Sequence, residues 1–270
     1  MSQILLINDM PGYGKVATAA MLPILSYYGI SVYNLPTALV SNPFEYGKFN
    51  IMETTDYIEG VFPIWKELGF KFDAIAAGFI VSQRQATLVK EYCKEQAAQG
   101  TTIYFDPIMG DEGRLYNGIE ESRIEVMKEM IAVADLIYPN YTEAAYLTGH
   151  QYKEEGCSEE EAVEMLDDLL KIGAKSALIT SMRINGKDCV IGYNHVNKER
   201  FVITFDYVDA HFPGTGDTFS AVLIGHLQKG DSLKVSTQHA MNAVRQMVLI
   251  SKSKHDRNCG LNIEKCLYLL

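Results

Sequence analysis

Short apolar runs rich in β-formers alternate with longer helical patterns along the chain, and this alternation constrains the fold more than any other feature. Ile4 to Ile7 reads as a strand, Val16 to Tyr28 as a helix carrying Pro23, and Ile30 to Asn34 as a second strand. A helix over Glu53–Leu68, a strand over Phe72–Ala77 and a helix over Ser82–Ala98 continue the pattern. Thr102–Phe105, the helix Glu120–Val133 and Leu136–Tyr138 follow, then an acidic helix and the strand Ser176–Thr180. Cys189–Tyr193 and Phe201–Phe205 read as antiparallel strands, and helices over Gly216–Gln228 and Ser232–Lys252 precede a short helical tail. Repeated strand–helix–strand units predict an α/β fold, a central mainly parallel sheet with helices on both faces. The late antiparallel pair predicts an edge extension of that sheet. With no repeat, low-complexity stretch or linker in 270 residues, the chain reads as a single domain, 1–270.

In such sheets ligands bind beyond the carboxyl ends of the strands. That rule selects the loops Asn8–Gly14, Gly78–Ser82, Asp106–Gly113, Pro139–Glu143, Thr180–Arg183 and Phe212–Asp217, which are also rich in glycine and polar residues.

Charge narrows the ligand class. The chain carries 24 basic and 34 acidic side chains, a net charge of −10. A nucleic-acid surface would need a basic stripe. Eight acids and one lysine between Lys153 and Asp168 account for −7 of the total, leaving −3 elsewhere. Ser158 and Glu161 form a capping-box pattern at the start of that helix, and Ala162, Val163, Leu166, Leu169 and Leu170 supply its apolar stripe, so the acids read as a solvated face. Five scattered cysteines without CxxC spacing and six histidines without HExxH argue against zinc or disulfide frameworks and suit a reduced cytoplasm. No apolar run reaches membrane-spanning length, and no basic leader precedes the first strand. The expectation is a cytoplasmic protein that engages neither nucleic acid nor membrane.

The most informative loop is Pro213-Gly214-Thr215-Gly216-Asp217. Two glycines just before a helix leave backbone N–H groups bare at its positive end, suited to a transferring phosphoryl group. Asp217 in the first turn can take a proton from an attacking hydroxyl, and a largely dissociative transfer asks little base strength of it. The same residues also read as a helix-capping acid after a tight turn. Two other motifs fail: Phe219 stands at the third glycine of the dinucleotide fingerprint, and in Gly12-Tyr13-Gly14-Lys15 both the first glycine (Asp9) and the hydroxyl after lysine (Val16) of a P-loop are missing.

With these residues in view, the chain resembles the ribokinase-like superfamily, whose C-terminal signature ends in such a GTGD turn, and within it the pyridoxal/pyridoxamine kinases. Asp106-Pro107-Ile108-Met109-Gly110-Asp111, continuing to Gly113 and Leu115-Tyr116, is similar to their DPVMGD-G-LY segment. Tyr138-Pro139-Asn140-Tyr141-Thr142-Glu143-Ala144 resembles their TPN-x-x-E-A element. Leu35 to Asn42 with Tyr46-Gly47 resembles their substrate flap, and Ile179-Thr180-Ser181 their phosphate-side strand end.

The resemblance implies ATP-dependent phosphorylation of the 5′-hydroxymethyl group of a vitamin B6 vitamer. Asp217 would be the base and the backbone of Gly214, Thr215 and Gly216 an anion hole. Asn140 and Glu143, with Asp106, would organise Mg²⁺; without the family, Asn140 and Glu143 read as an N-cap and its partner. Asp106, Asp111, Asn140, Thr180, Ser181, Phe212 and Pro213 would border ATP. Asp9, Ser41, Phe44, Tyr46 and Phe79 would border the vitamer, with Lys15, Tyr13, Lys48 and His211 as further pocket candidates. A monovalent cation is a further candidate cofactor, and a homodimer the implied assembly. The pocket departs from the family pattern: Asp9 replaces a common serine, Phe44 stands where a threonine is usual, and Phe79 replaces a tyrosine. An acid at Asp9 also suits a hydroxymethylpyrimidine kinase of thiamine synthesis, and the lost hydroxyls suit a catalytically degenerate ligand-binding homologue. A sugar kinase would need an N-terminal glycine pair and an array of polar groups that the chain lacks.

Overall fold

A computed structural model describes residues 2–116 and 119–270. In chain order the elements are β1 (Gln3–Pro11), α1 (Ala17–Tyr27), β2 (Ser31–Val40), β3 (Ile51–Glu53), α2 (Thr55–Glu67), β4 (Ala74–Ala77), α3 (Gln83–Ala97) and β5 (Thr102–Phe105). They continue with β6 (Gly110–Asp111), β7 (Arg114–Leu115), α4 (Ser122–Ile131), β8 (Leu136–Ile137), α5 (Tyr141–Thr148) and α6 (Glu159–Ile172). The chain closes with β9 (Ser176–Ile184), β10 (Lys187–Asn194), β11 (Glu199–Thr204), α7 (Thr215–Gln228), α8 (Leu233–Ser251) and α9 (Ile263–Cys266).

Two compact units divide the chain, Met1–Ala76 with Tyr207–Leu270, and Ala77–Asp206. In the first, the strand order is β4-β1-β2-β3. β1 and β2 run parallel, and β3 is an antiparallel edge. Ile4 to Ile7 are fully buried, as expected of a strand covered on both faces. Helix α7 packs on α1 and on α8. In the second unit the order is β11-β10-β9-β8-β5, with β5, β8 and β9 parallel and β10 and β11 antiparallel. The mainly parallel α/β reading holds, including its antiparallel extension.

Several boundaries differ from the sequence reading, for local reasons. β1 continues to Pro11 and β2 to Val40, so Leu35–Val40 is strand and the flap starts at Ser41. Pro36 sits in β2 opposite Asn8, just before the irregularity between Asn8 and Met10 that breaks the ladder of β1 and β2. Thr180–Arg183 is a strand interior: β9 runs on to Ile184 because β10 pairs with it back to Lys187. The ladder shifts register there, with Thr180 and Ser181 facing the single residue Val190, and Ser181 has φ 54°. The acidic helix has the expected capping box, Ser158 with Glu161. Its buried face is Ala162, Met165, Leu166 and Leu169; Val163 and Leu170 are half-buried at its edges. Its acids pair outward, Glu161 with Lys153 and Asp167 with Arg200.

Candidate active site

The first unit carries the glycine turn. Gly214 is the N-cap of α7 with φ 81°, and no side chain caps the helix. The first N–H groups of a helix have no intrahelical acceptor, so the start of α7 presents bare donors. The two glycines differ in their physical reason. A Cβ on Gly214 would lie 2.2 Å from the Lys15 carbonyl oxygen, so glycine is demanded there by the protein itself. A Cβ on Gly216 would meet no protein atom within 4 Å. Gly216 lies exposed, with open space where a side chain would stand.

Asp217 is half-buried in the first turn of α7, and its Oδ2 accepts the Ala17 N–H at 2.7 Å. Burial raises its carboxyl above the ordinary aspartate range; the Ala17 N–H and the Asn8 amide pull it back down, and Glu45 adds to the rise. Asp9 is pushed up to about 7 by burial and by the charge of Asp217, against its own backbone hydrogen bond. Asp9 therefore lies within the field of Asp217 and can hold a proton near neutral pH. Asn8, Ala17 and Glu45 belong to this environment; sequence reading placed Asn8 in a ligand-facing loop without a role and overlooked the other two. Asn8 looks like the end of an apolar run; the signal at Ala17 is only its backbone, φ 47°, which no motif reveals.

The flap residues lie in the same unit. Ser41 is engaged locally, donating to Asn42 Oδ1 at 2.7 Å and accepting from Asn50 N at 2.8 Å. Phe44 packs on Phe49 with ring centroids 4.5 Å apart. The Tyr46 hydroxyl donates to Asp256. Phe212 and Pro213 are buried, with the Arg257 guanidinium 5.8 Å over the Phe212 ring. Tyr13, Lys48 and His211 are exposed, and Lys15 forms an ion pair with Glu264.

The second unit brings Asp106, Asn140 and Glu143 together. Asn140 is the N-cap of α5 and forms a capping box with Glu143. Glu143 is buried, and its carboxylate also accepts Met109 N–H at 2.9 Å and Gly110 N–H at 3.5 Å. The Asn140 amide donates to the Gly110 carbonyl at 2.8 Å, tying α5 to the β6–β7 hairpin. Burial, then the charge of Asp106, raises the Glu143 carboxyl well above its ordinary value despite those N–H donors. A buried carboxylate whose ionisation is penalised by burial and by a neighbouring acid offers hard oxygen and a charge that a divalent cation would relieve. Asp111 sits exposed on the hairpin and accepts from Glu112 N. Thr180 bonds to the Pro139 carbonyl through its N–H, at 2.9 Å. Phe79 is a buried ring.

Elsewhere, among the described residues, His226, Asp231 and His239 bring possible ligand atoms within 4.8 Å of one another. The two imidazoles stack at 4.0 Å and 4°, so no point lies in both ring planes and their lone pairs do not converge on an ion. The group is a stacked pair pinned by the 2.7 Å contact of His226 with Asp231.

A mainly parallel α/β scaffold with a glycine turn, and a carboxylate in the first turn of the helix that follows, fits a phosphotransferase of the ribokinase-like class acting on an alcohol, the class to which the similar proteins belong. A sequence profile of the phosphomethylpyrimidine kinase family matches residues 56–261. A Bacteroides thetaiotaomicron protein provisionally assigned as a phosphomethylpyrimidine kinase, in an orthorhombic crystal form with pyridoxal, is 35% identical and superposes with a TM-score of 0.93 over 99% of this chain and 94% of its own. Lactobacillus plantarum pyridoxal kinase superposes with a TM-score of 0.87 at 26% identity, over 99% and 96% of the two chains. The pyridoxal kinase of Arabidopsis thaliana is 29% identical over 258 residues, 88% of this chain and 81% of that one. The chain belongs to the phosphomethylpyrimidine kinase family, which it shares with pyridoxal kinases in the ribokinase-like superfamily. No helix among the described residues is long and apolar enough to cross a membrane.

Proposed function

We propose that this chain transfers the γ-phosphoryl group of ATP to the 5′-hydroxymethyl group of a vitamin B6 vitamer. The observation that carries the reading is the first turn of α7, where bare N–H donors, an open face at Gly216 and the Asp217 carboxylate adjoin one another. Asp217 orients the substrate hydroxyl and accepts its proton as the bond to phosphorus forms. The N–H groups from Gly214 to Gly216 receive the charge on the transferring group. By resemblance, Phe212 and Pro213 of the first unit are assigned to the nucleotide, as are Thr180, Ser181 and Asp111 of the second.

Asp106, Asn140 and Glu143 are the residues assigned to Mg²⁺. The Glu143 oxygens already accept backbone N–H groups, so it acts best through the charge it sets and through bound waters. When bound, the ion supplies neutralisation of the phosphate oxygens. Asp9, near its midpoint at neutral pH, offers the vitamer ring either a proton or an acceptor, and Phe44 and Tyr46 of the same unit offer it apolar faces; Ser41 roots the flap, and Phe79 of the second unit is assigned to the vitamer by resemblance alone. The pyridoxal in crystals of the 35%-identical Bacteroides protein favours a B6 vitamer.

A second reading, phosphorylation of a hydroxymethylpyrimidine, is favoured by the family profile itself. Parallel assays of ADP release with pyridoxal, pyridoxamine, pyridoxine and the aminopyrimidine separate the two. Turnover of the pyrimidine alone overturns the B6 assignment, and no turnover with any acceptor overturns the enzyme reading. The family resemblance also supports a homodimer, which sedimentation analysis tests, and a cytoplasmic setting.

A further inference from the structure

The flap is held at its tip by a part of the chain that no motif includes. The Tyr46 hydroxyl donates to Asp256 Oδ2 at 2.5 Å, across 210 residues of sequence. One position earlier, the Glu45 carbonyl accepts from Asn258 Nδ2 at 3.4 Å. Asp256 is itself oriented, because its Oδ1 accepts the Asn258 N–H at 3.1 Å. One half-buried carboxylate therefore shapes its own turn with one oxygen and holds the flap with the other.

The same turn is keyed to the catalytic loop. Cys259 accepts the Lys15 N–H on its carbonyl at 2.8 Å. The Lys15 carbonyl then lies where a Cβ on Gly260 would come within 2.5 Å and one on Gly214 within 2.2 Å. Lys15 is thus wedged between the C-terminal turn and the N-cap of α7. At the root of the flap, Pro43 lies so close to Gly14 that a Cβ there would come within 2.7 Å of its ring. The flap, the loop before α1, the glycine turn and the segment 254–260 form one interlocked set in the first unit. The charge of Glu45 is felt at Asp217, which places the flap tip within electrostatic reach of the base.

We infer that Asp256 is a positioning residue: by docking Tyr46 it holds the flap against the C-terminal turn, and so sets how well the vitamer is retained beside Asp217. The substrate half of this inference rests on the B6 kinase reading; the docking half does not. A hydrogen bond from a phenol to a carboxylate is among the stronger neutral-to-charged kinds, enough to shift a local open–closed equilibrium on the order of tenfold.

The experiment compares wild type, Asp256→Ala, Asp256→Asn, Tyr46→Phe and the Tyr46→Phe/Asp256→Ala double variant. Trypsin cleavage after Lys48, exposed on the flap, reports docking without any substrate. The expected result is cleavage about tenfold faster in Asp256→Ala and Tyr46→Phe and no faster still in the double variant. Asp256→Asn, which retains a neutral acceptor, falls between. With pyridoxal and Mg-ATP, Asp256→Ala should raise KM for the vitamer about tenfold while kcat stays within about threefold. Unchanged cleavage in both single variants, or effects that multiply in the double, overturns the docking. Faster cleavage with an unchanged vitamer KM overturns its role in retention. A wild-type protein inactive on every vitamer overturns the kinase reading, and the cleavage rates still decide the docking.

Discussion

Replacing each glycine of the turn by alanine should have opposite effects on stability and a shared effect on catalysis. At Gly214 the new Cβ would require φ 81°, and would lie 2.2 Å from the Lys15 carbonyl oxygen. The left-handed conformation costs an alanine about 1–2 kcal/mol. Relieving the overlap means moving backbone, which costs about 1–3 kcal/mol in a packed site. Together these remove about 2–5 kcal/mol from a domain whose whole stability is about 5–15 kcal/mol. With roughly 2 °C lost per kcal/mol at this chain length, the melting temperature should fall by about 4–10 °C. At Gly216 nothing lies within 4 Å of the new Cβ, and alanine is the better helix former by about 0.5–1 kcal/mol. Gly216→Ala should therefore melt at or slightly above wild type, yet lose at least about tenfold in kcat/KM, because the methyl group occupies the face proposed for the phosphoryl group. Scanning calorimetry and steady-state ADP release measure both. A Gly216→Ala enzyme with wild-type turnover would refute the assignment of that open face to phosphate, and a Gly214→Ala protein of wild-type stability would refute the role given to the Lys15 contact.

Further outcomes follow from the carboxylates. Asp217→Asn should lower kcat by about 10²–10⁴, the span of general base catalysis, with ATP affinity measured by calorimetry nearly retained; near-normal turnover would remove Asp217 as the base. Asp9 has a folded-state value of about 7 against an unfolded 3.8, so the folded chain binds more protons between those values, and stability falls as pH rises from about 4 to about 7. Asp9→Asn should flatten that slope and melt higher than wild type at pH 8, and melting curves at pH 5 and 8 that keep the wild-type slope would count against the raised Asp9 carboxyl. Glu143→Ala leaves the N–H groups of Met109, Gly110 and Asn140 without their acceptor, and at about 1–3 kcal/mol for each buried orphan the variant should unfold at clearly lower denaturant; an unchanged midpoint would mean water replaces the carboxylate.

The features legible in the sequence are those set by near neighbours. Ser158 and Glu161 announce a helix start because each bonds the other's backbone three residues away, and the Asn140–Glu143 cap is readable for the same reason. Ile4 to Ile7 reads as a buried strand from composition alone. Gly214 is visible as a turn because its conformation excludes most side chains. The class of fold and the glycine turn before α7 were therefore both within reach of the sequence.

Tertiary structure decided what depends on partners far along the chain. β9 runs through Thr180–Arg183 because β10 is there to pair with it, and the two-residue strands β6 and β7 are too short to show a period. The Glu264 carboxylate that pairs with Lys15 lies 249 residues further along the chain and has no signal near Lys15 in the sequence. Most of the site's tuning is of this kind: Ala17 bonds Asp217 across 200 residues, and Tyr46 bonds Asp256 across 210. Such pairs leave no local signal, because a hydrogen bond depends on distance in space and angle, while a sequence records only distance along the chain. The sequence by itself determined which groups could do the chemistry. Packing alone determined their proton affinity and what holds them in place, since both follow from burial and from charges that only the folded chain brings near.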